Sequence, residues 1–190
     1  MTLSPGFADP VAEAQQSFRA ILAALSRPGR VQSLGAGLRP PAPLLPAAAA
    51  VLLTLADADT PLWHDAGAAA DAWLRFHCGS PAAGRPGEAR LVLACGAPPP
   101  LSELDAGSDE APEDSATLLV QVAGLAEGSG WRLTGPGIAQ EHRLLVEGLP
   151  SWFPAAWEAQ RRGFPRGVDV LLCAGTRIAA LPRGIALGQG

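Results

Sequence analysis

Residues 16–29 read Gln-Ser-Phe-Arg-Ala-Ile-Leu-Ala-Ala-Leu-Ser-Arg-Pro-Gly, and this stretch decides how the fold begins. Its apolar residues recur at helical spacing, which predicts an amphipathic helix docked through one face. The members of that face are Val11, Ala14, Phe18, Leu22 and Leu25. Because Pro28 disfavours helical dihedrals at the residue before it and Gly29 accepts a positive φ, the helix is expected to end here and turn into a strand at 31–34.

Three compact apolar runs further along the chain have the composition of strands covered on both faces, and they lie at 90–95, 117–122 and 168–173. Shorter strands are predicted at 62–64, 131–134 and 177–181, and helices at 44–56, 66–78 and 151–162. This alternation predicts an α/β fold, a three-layer αβα sandwich with a mixed sheet, in a single domain over 1–190. The consecutive strands at 117 and 131 are expected to be antiparallel neighbours.

The composition excludes several classes of protein. The longest apolar run, 44–56, is shorter than the roughly 20 residues of a membrane span, and no leader opens the chain, so we expect a cytoplasmic protein without membrane contact. All 14 basic residues are arginines. Without lysine there is no side-chain Schiff base and no Walker phosphate loop. A net charge of −4 without a basic, aromatic stripe argues against nucleic-acid binding.

Charge is unevenly distributed along the chain. Six of the 18 acidic residues crowd a segment without arginine: Glu103, Asp105, Asp109, Glu110, Glu113 and Asp114. A solvated, mobile loop is the simplest interpretation, and a contact for a basic partner is the alternative. From residue 159 onward the sequence contains five arginines and a single acidic residue, an aspartate. This local excess of positive charge would suit an anionic substrate or partner.

The histidines and cysteines give little indication of metal or covalent chemistry. Cys78, Cys95 and Cys173 form no Cys-x-x-Cys pair and are expected to be small core thiols. The three histidines have no metal-binding spacing, and His77 fits the end of a helix, where imidazole interacts favourably with exposed carbonyls. No Gly-x-Ser-x-Gly elbow surrounds any serine. We therefore expect no metal, no cofactor and no catalytic residue.

Several short blocks, in order along nearly the whole chain, resemble the PhnH family, the H subunit of the bacterial carbon-phosphorus lyase that degrades phosphonates. They are Phe18-Arg19 with Ser26-x-Pro28-Gly29, then 52–57 with Asp59-Thr60-Pro61, Leu74-Arg75-Phe76-His77, 132–138, Phe164-Pro165-Arg166-Gly167-Val168-Asp169, and Leu181-Pro182-Arg183. Such sequences usually close with Pro-Arg-Thr-Thr, but this chain has Pro182-Arg183-Gly184-Ile185, which leaves any role of the two hydroxyls in doubt. Position 27 carries either an acid or a base in similar sequences, so Arg27 is not predicted as a site residue.

The resemblance implies an αβα core like the large domain of pyridoxal-phosphate-dependent transferases, without the cofactor lysine. It also implies a homodimer that works with G, I and J type subunits and an accessory L type. By resemblance, that assembly makes alpha-D-ribose 1-methylphosphonate 5-triphosphate from ATP and methylphosphonate. The nucleosidase and radical chemistry belong to other subunits, so this chain is expected to support the reaction without catalysing it alone.

Arginines are the best candidates for binding anions or partners, because guanidinium binds phosphonate oxygens in two-pronged geometry. The candidate contacts are Arg19, Arg75, His77, Arg132 and Arg183. Surface ion pairs or tight turns would explain the same residues. The alternative function is a free-standing enzyme or binding protein that holds a nucleotide or phosphorylated molecule through Arg132, Arg166 and Arg183. Any of the five tryptophans that proved exposed would mark a subunit contact, whereas buried ones would be core.

Overall fold

The computed structural model describes residues 3–188, which contain four α-helices and nine β-strands. The helices are Pro10–Ser26 (α1), Pro46–Leu55 (α2), Gly67–Cys78 (α3) and Phe153–Arg161 (α4). The strands are Gln32–Ser33 (β1), Leu62–His64 (β2), Leu91–Ala94 (β3), Thr117–Gln121 (β4), Gly124–Thr134 (β5), His142–Glu147 (β6), Asp169–Ala174 (β7), Arg177–Leu181 (β8) and Ala186–Gly188 (β9).

Six strands form a mixed sheet in the order β1-β8-β7-β4-β3-β2. The strands β2, β3, β4 and β7 run parallel, and β8 and β1 complete the sheet in antiparallel pairs. Its central strands are buried on both faces, as continuous apolar runs predict. The expectation of an α/β fold with a mixed sheet is confirmed.

The two faces of this sheet are covered differently. Helices α1, α2 and α3 cover one face, where the residues of α2 from Ala47 to Leu52 are completely buried. The other face is covered by α4 together with a second, three-stranded antiparallel sheet in the order β6-β5-β9. This layer is therefore built partly from strands.

The second sheet corrects one expectation. Strands β4 and β5 are consecutive but not neighbours, because β4 lies between β3 and β7 while β5 pairs with β6 and β9. Only two residues separate β4 from β5, yet β5 belongs to the second sheet. The prediction of an antiparallel β4–β5 pair was wrong, and the strands β6 and β9 were missed.

Helix α1 corrects another expectation. Its buried residues are Ser17, Ile21 and Ala24, whereas Phe18 and Leu22 are about half exposed, at 51% and 54%. Since α1 packs on the alanine-rich α2, close approach favours the small side chains on the inner face. The prediction that Phe18 and Leu22 form the docked face was wrong.

The helix ends follow local sequence rules. The Asp9 side chain accepts from the Ala12 amide at 3.1 Å, and the Glu13 carboxylate accepts from the Asp9 amide at 2.9 Å, so the first turn of α1 is capped from both sides. At the carboxyl end of helix α3, the capping residue Gly79 adopts a left-handed conformation with φ +67°. No helix within the described residues combines the length and apolar character that a membrane crossing requires.

Candidate functional site

Four of the sequence blocks that resemble one family meet at one groove. The groove has a volume of about 570 Å³ and lies at the amino-terminal edge of the parallel strands, beside the first residue of β7. The residues that line this motif groove are Leu25, Ser26, Pro112, Glu113, Pro136, Gly137, Phe164, Pro165, Asp169, Pro182, Arg183, Gly184 and Ile185. Blocks separated by more than 150 residues in sequence thus build one surface.

Glycines in these blocks allow the end of α1 to lie against the β5–β6 loop. A Cβ on Gly29 would collide with the Leu133 side chain and come within 2.8 Å of His142 Cδ2, and its φ is +80°. A Cβ on Gly137 would lie 2.5 Å from the Ser26 carbonyl oxygen, at φ +84°. Both glycines are therefore required by close packing as well as by backbone conformation.

Arg183 is held by an ion pair in the wall of the motif groove. Its guanidinium donates to the Asp169 carboxylate at 2.6 and 3.3 Å, its backbone amide donates to the same carboxylate at 2.8 Å, and Nη1 donates to the Pro112 carbonyl. The two side chains are only 15% and 24% exposed. An incoming anion would have to compete with Asp169 for this guanidinium.

The acidic segment at 103–114 packs against the rest of the molecule beside the motif groove, which its residues Pro112 and Glu113 help to line. Leu101 and Leu104 are buried, and Asp109 and Asp114 pair with Arg166 at 3.3 Å and Arg90 at 3.1 Å. The amide of Gly167 also donates to the Ala106 carbonyl at 2.9 Å. The arginine-rich part of the chain after residue 159 therefore contacts this acidic segment within the same molecule, through Arg166 and Gly167.

The other predicted anion or partner contacts lie on separate elements. Arg19 is exposed on α1, and Arg75 is exposed on α3. His77 of α3 is half-buried, and its Nε2 lies 3.1 Å from the Ser4 carbonyl oxygen, which also accepts from Trp73 Nε1 at 2.8 Å. This histidine anchors the segment before α1.

Arg132 lies directly opposite Arg143 on the small sheet, and Glu141 lies 3.6 Å from each guanidinium. The carboxylate offsets the repulsion between two like charges at facing strand positions. Of the five predicted contacts, only Arg183 lines the motif groove.

At the usual ligand edge of an α/β sheet, the carboxyl ends of the parallel strands, two polar side chains hold loops. Asp65 accepts from the amides of Cys95 and Gly96 at 2.6 and 3.1 Å. Gln121 accepts from the Leu45 amide at 2.6 Å and donates to the Pro43 carbonyl at 2.9 Å. The polar groups after β2 and at the end of β4 are thus used to hold loops.

One constellation that sequence reasoning missed resembles a Ser-His-Asp set, because His64, Asp71 and Ser80 line one very small cavity. His64 Nδ1 accepts from the Ala66 amide at 3.3 Å, and Nε2 lies 3.4 Å from the Asp71 carboxylate. The Ser80 hydroxyl donates to the Thr60 carbonyl. Both ring nitrogens are engaged, so His64 has no lone pair to activate Ser80, and these residues connect β2 to α3.

The cysteines are poorly suited to nucleophilic chemistry. Burial raises the pKa of the Cys78 thiol to about 11 and that of Cys173 to about 12. Burial, together with the nearby Asp65 carboxylate, raises the pKa of Cys95 to about 12. Because the thiolate is the reactive form, these side chains are unreactive at neutral pH. Nowhere from residue 3 to 188 do three His, Cys, Asp or Glu side chains cluster closely enough to hold a metal ion.

Large apolar side chains project from α1 into solvent. Val11, Phe18 and Leu22, which we call the α1 outer stripe, are 69%, 51% and 54% exposed. Phe164, in the motif groove, is also largely exposed. Contiguous apolar surface of this kind typically marks a protein contact.

The tryptophans contribute less to this surface. Trp73 and Trp157 are completely buried, and Trp157 Nε1 donates to the Ile185 carbonyl at 2.7 Å. Of the five tryptophans, only Trp152 is exposed, at 38%. Phenylalanines, rather than the tryptophans considered from sequence, provide most of the exposed aromatic surface.

Fold and groove together define a small α/β protein whose family-like motifs pack loops tightly and whose first helix presents apolar side chains outward. Residues 5–187 match the sequence profile of the bacterial phosphonate metabolism protein (PhnH) family. The chain belongs to this family, as its sequence blocks predicted.

Two relatives agree with that assignment. The chain is 38% identical over 185 residues, covering 95% of this chain and 92% of the relative, to the alpha-D-ribose 1-methylphosphonate 5-triphosphate synthase subunit PhnH of Rhizobium meliloti (strain 1021). It is also 38% identical over 177 residues, 89% of this chain and 83% of the relative, to HtxG of Stutzerimonas stutzeri, whose name assigns it to a C-P lyase.

Proposed function

We propose that this chain is the H-type subunit of a carbon-phosphorus lyase in phosphonate catabolism, where it supports formation of alpha-D-ribose 1-methylphosphonate 5-triphosphate. The observation that carries this proposal is the 38% identity to a subunit of that synthase over 95% of the chain. The subunit works in the cytoplasm with G, I and J type partners and an accessory L type, and forms a homodimer when alone. It requires no cofactor of its own.

The chain contributes surface to the assembly, and residues 3–188 hold no complete catalytic set. Arg183 is occupied by Asp169, both nitrogens of His64 are engaged, and burial suppresses thiolate formation at the three cysteines. The α1 outer stripe provides the apolar contact that a subunit interface needs. Its two large side chains, Phe18 and Leu22, are one helical turn apart and can insert together into a partner.

The core retains the architecture of the large domain of pyridoxal-phosphate-dependent transferases. Two observations support this part of the proposal, namely the mixed sheet flanked by helices and the absence of lysine from the sequence. A chain without lysine cannot form the internal Schiff base of those enzymes.

Co-expression with G, I and J type subunits, followed by size-exclusion chromatography, tests the assembly. We expect the chain to co-elute with the other subunits, and Leu22→Asp to reduce that fraction at least about tenfold, because a buried charge without a partner opposes association. Arg162→Asp, on an exposed position after α4, is the matched control and should co-elute as the unaltered chain does. Separate elution of the unaltered chain would contradict the proposal.

Adenine release from ATP and methylphosphonate distinguishes the supporting role from the free-standing enzyme. The isolated chain should release none, while the complete mixture should release adenine at a rate that depends on this chain. Turnover by the isolated chain would instead establish the alternative of an independent enzyme.

A further inference from the structure

A second cavity lies on the other side of the β5–β6 loop from the motif groove. It has a volume of about 430 Å³, within the range of roughly 300–1,000 Å³ that is typical of small-molecule sites. Arg27, Pro28 and Arg30 form one wall, and residues 137–142 form the other. None of the five sequence-predicted contacts lines this cavity.

The groups around the cavity carry an excess of positive charge. Arg27 and Arg30 are both exposed, and Arg27 has no ion-pair partner between residues 3 and 188. Behind the lining, Glu127 pairs with Arg30. Glu141 is part of the wall and lies 3.6 Å from both Arg132 and Arg143. Among the residues that line the cavity, Arg27 and Arg30 carry positive charge and Glu141 carries negative charge, which leaves a net charge of +1 in a chain whose net charge is −4.

Glu127 holds the Arg30 side of the cavity in place. Its carboxylate accepts from the Val31 amide at 2.9 Å and from Arg30 Nη1 at 3.1 Å. Burial alone would raise the pKa of Glu127, but these two hydrogen bonds and the nearby His142 lower it, so the carboxylate stays charged. A β-bulge between Glu127 and Trp131 directs this side chain toward the α1–β1 connection.

The opposite wall supplies further donors. His142 is only 14% exposed, and although its Nε2 lies 3.2 Å from Glu127, this nitrogen makes no well-aligned hydrogen bond within the described residues. The backbone amides of Ala139 and Gln140 also have no hydrogen-bond partner in that part of the chain. Ala139 and Gln140 are both exposed residues of this wall. Unpaired backbone amides and guanidinium groups on the walls of one cavity favour anions.

We propose that this cavity binds a phosphate-type oxyanion between Arg27, Arg30 and the 139–142 segment. Guanidinium groups match the tetrahedral oxygens of such an anion, and the two arginines and the loop approach it from opposite sides. The ligand is a free phosphate or phosphonate ion, or the end of a longer phosphate chain. None of the three residues of the α1 outer stripe lines this cavity.

Isothermal titration calorimetry tests the site. The full chain is titrated at low ionic strength with inorganic phosphate and, separately, with inorganic triphosphate. We expect saturable binding, and Arg27→Gln should weaken it at least about threefold, the effect of removing one partly exposed charge. Arg30→Gln should weaken it similarly but also frees Glu127, so Arg27→Gln is the decisive variant. Tighter binding of triphosphate than charge and ionic strength explain would identify the longer chain as the ligand.

Two further variants make the test directional. Glu141→Gln removes a carboxylate from the wall and should strengthen phosphate binding, whereas Arg162→Gln, a charge change away from the cavity, should leave it unchanged. Non-saturable binding, or equal weakening by Arg27→Gln and Arg162→Gln, would overturn the proposal. Subunit co-elution is measured without phosphate, so this site and the proposed assembly can fail independently.

Discussion

Helix α1 has a buried face of Ser17, Ile21 and Ala24 and an exposed face that includes Phe18 and Leu22. Ile21 and Ala24 lie inside against α2, while Phe18 and Leu22 point into solvent. In a helix that only stabilised its own domain, the larger apolar side chains would be expected in the core. The contrast teaches that the sequence of α1 satisfies two requirements, tight packing inside the chain and apolar contact outside it.

A large effect is expected where the end of α1 packs against Leu133 and His142. Gly29→Ala should lower the free energy of unfolding by about 3 kcal/mol, because the added Cβ meets Leu133 and His142 at a positive φ. Gly175→Ala is the matched control, since Gly175 has a similar φ of +61° and open space around it, and it should cost about 1 kcal/mol. Urea unfolding measures both, and equal losses would contradict the packing requirement at Gly29.

The neighbouring residues Ile21 and Leu22 compare the two faces directly. Ile21→Ala should cost about 2–4 kcal/mol in unfolding free energy, because Ile21 is only 2% exposed. Leu22→Ala should change stability by less than about 0.5 kcal/mol and instead weaken co-elution with partner subunits. A stability loss for Leu22→Ala as large as that for Ile21→Ala would remove the distinction between the faces.

The ion pair in the motif groove should give a smaller loss of stability. Asp169→Asn removes the charge that accepts from Arg183, and we expect a cost of about 2 kcal/mol, since both side chains are largely buried. Asp109→Asn is the control, because Asp109 pairs with Arg166 on the surface, and its urea midpoint should stay unchanged. The reverse order of effects would show that Arg183 does not depend on Asp169.

The smallest effect concerns Cys173 and alkaline pH. Its pKa in the folded protein is about 12 against a usual value of 9.0, so the unfolded chain loses this proton first as pH rises. The contribution of Cys173 to stability is therefore complete below pH 9 and is lost progressively between about pH 9 and 12. The difference in unfolding free energy between the unaltered chain and Cys173→Ala should be smaller at pH 10.5 than at pH 8. A difference that does not change with pH would count against burial of the thiol.

The sequence predicted the central strands well, because continuous apolar runs such as 117–122 carry their burial in local composition. It could not predict which face of α1 is buried, since Phe18 and Ile21 are both apolar and the choice depends on the alanines of α2. The second sheet was missed for a related reason. Strand β6 is only partly buried, so its apolar pattern is weak.

The sequence predicted only part of the motif groove. Each block could be recognised along the chain, and Arg183 was selected as a charged residue within one of them. Its pairing with Asp169 and its hydrogen bond to Pro112 depend on the meeting of β7, β8 and the acidic segment. Arg30 and His142 gave no linear pattern either, because 112 positions separate them and only the fold brings both to one cavity.

The double hydrogen bond of Gln121 has a consequence for engineering this fold. One side-chain amide fastens the loop before α2 to the end of β4, at the edge where related architectures admit small molecules. Gln121→Leu would release both attachments while filling similar volume, so the loop could be redesigned without rebuilding the sheet. Because Asp65 still holds the loop after β3 at this edge, the Gln121 loop offers a separate starting point for installing a new pocket.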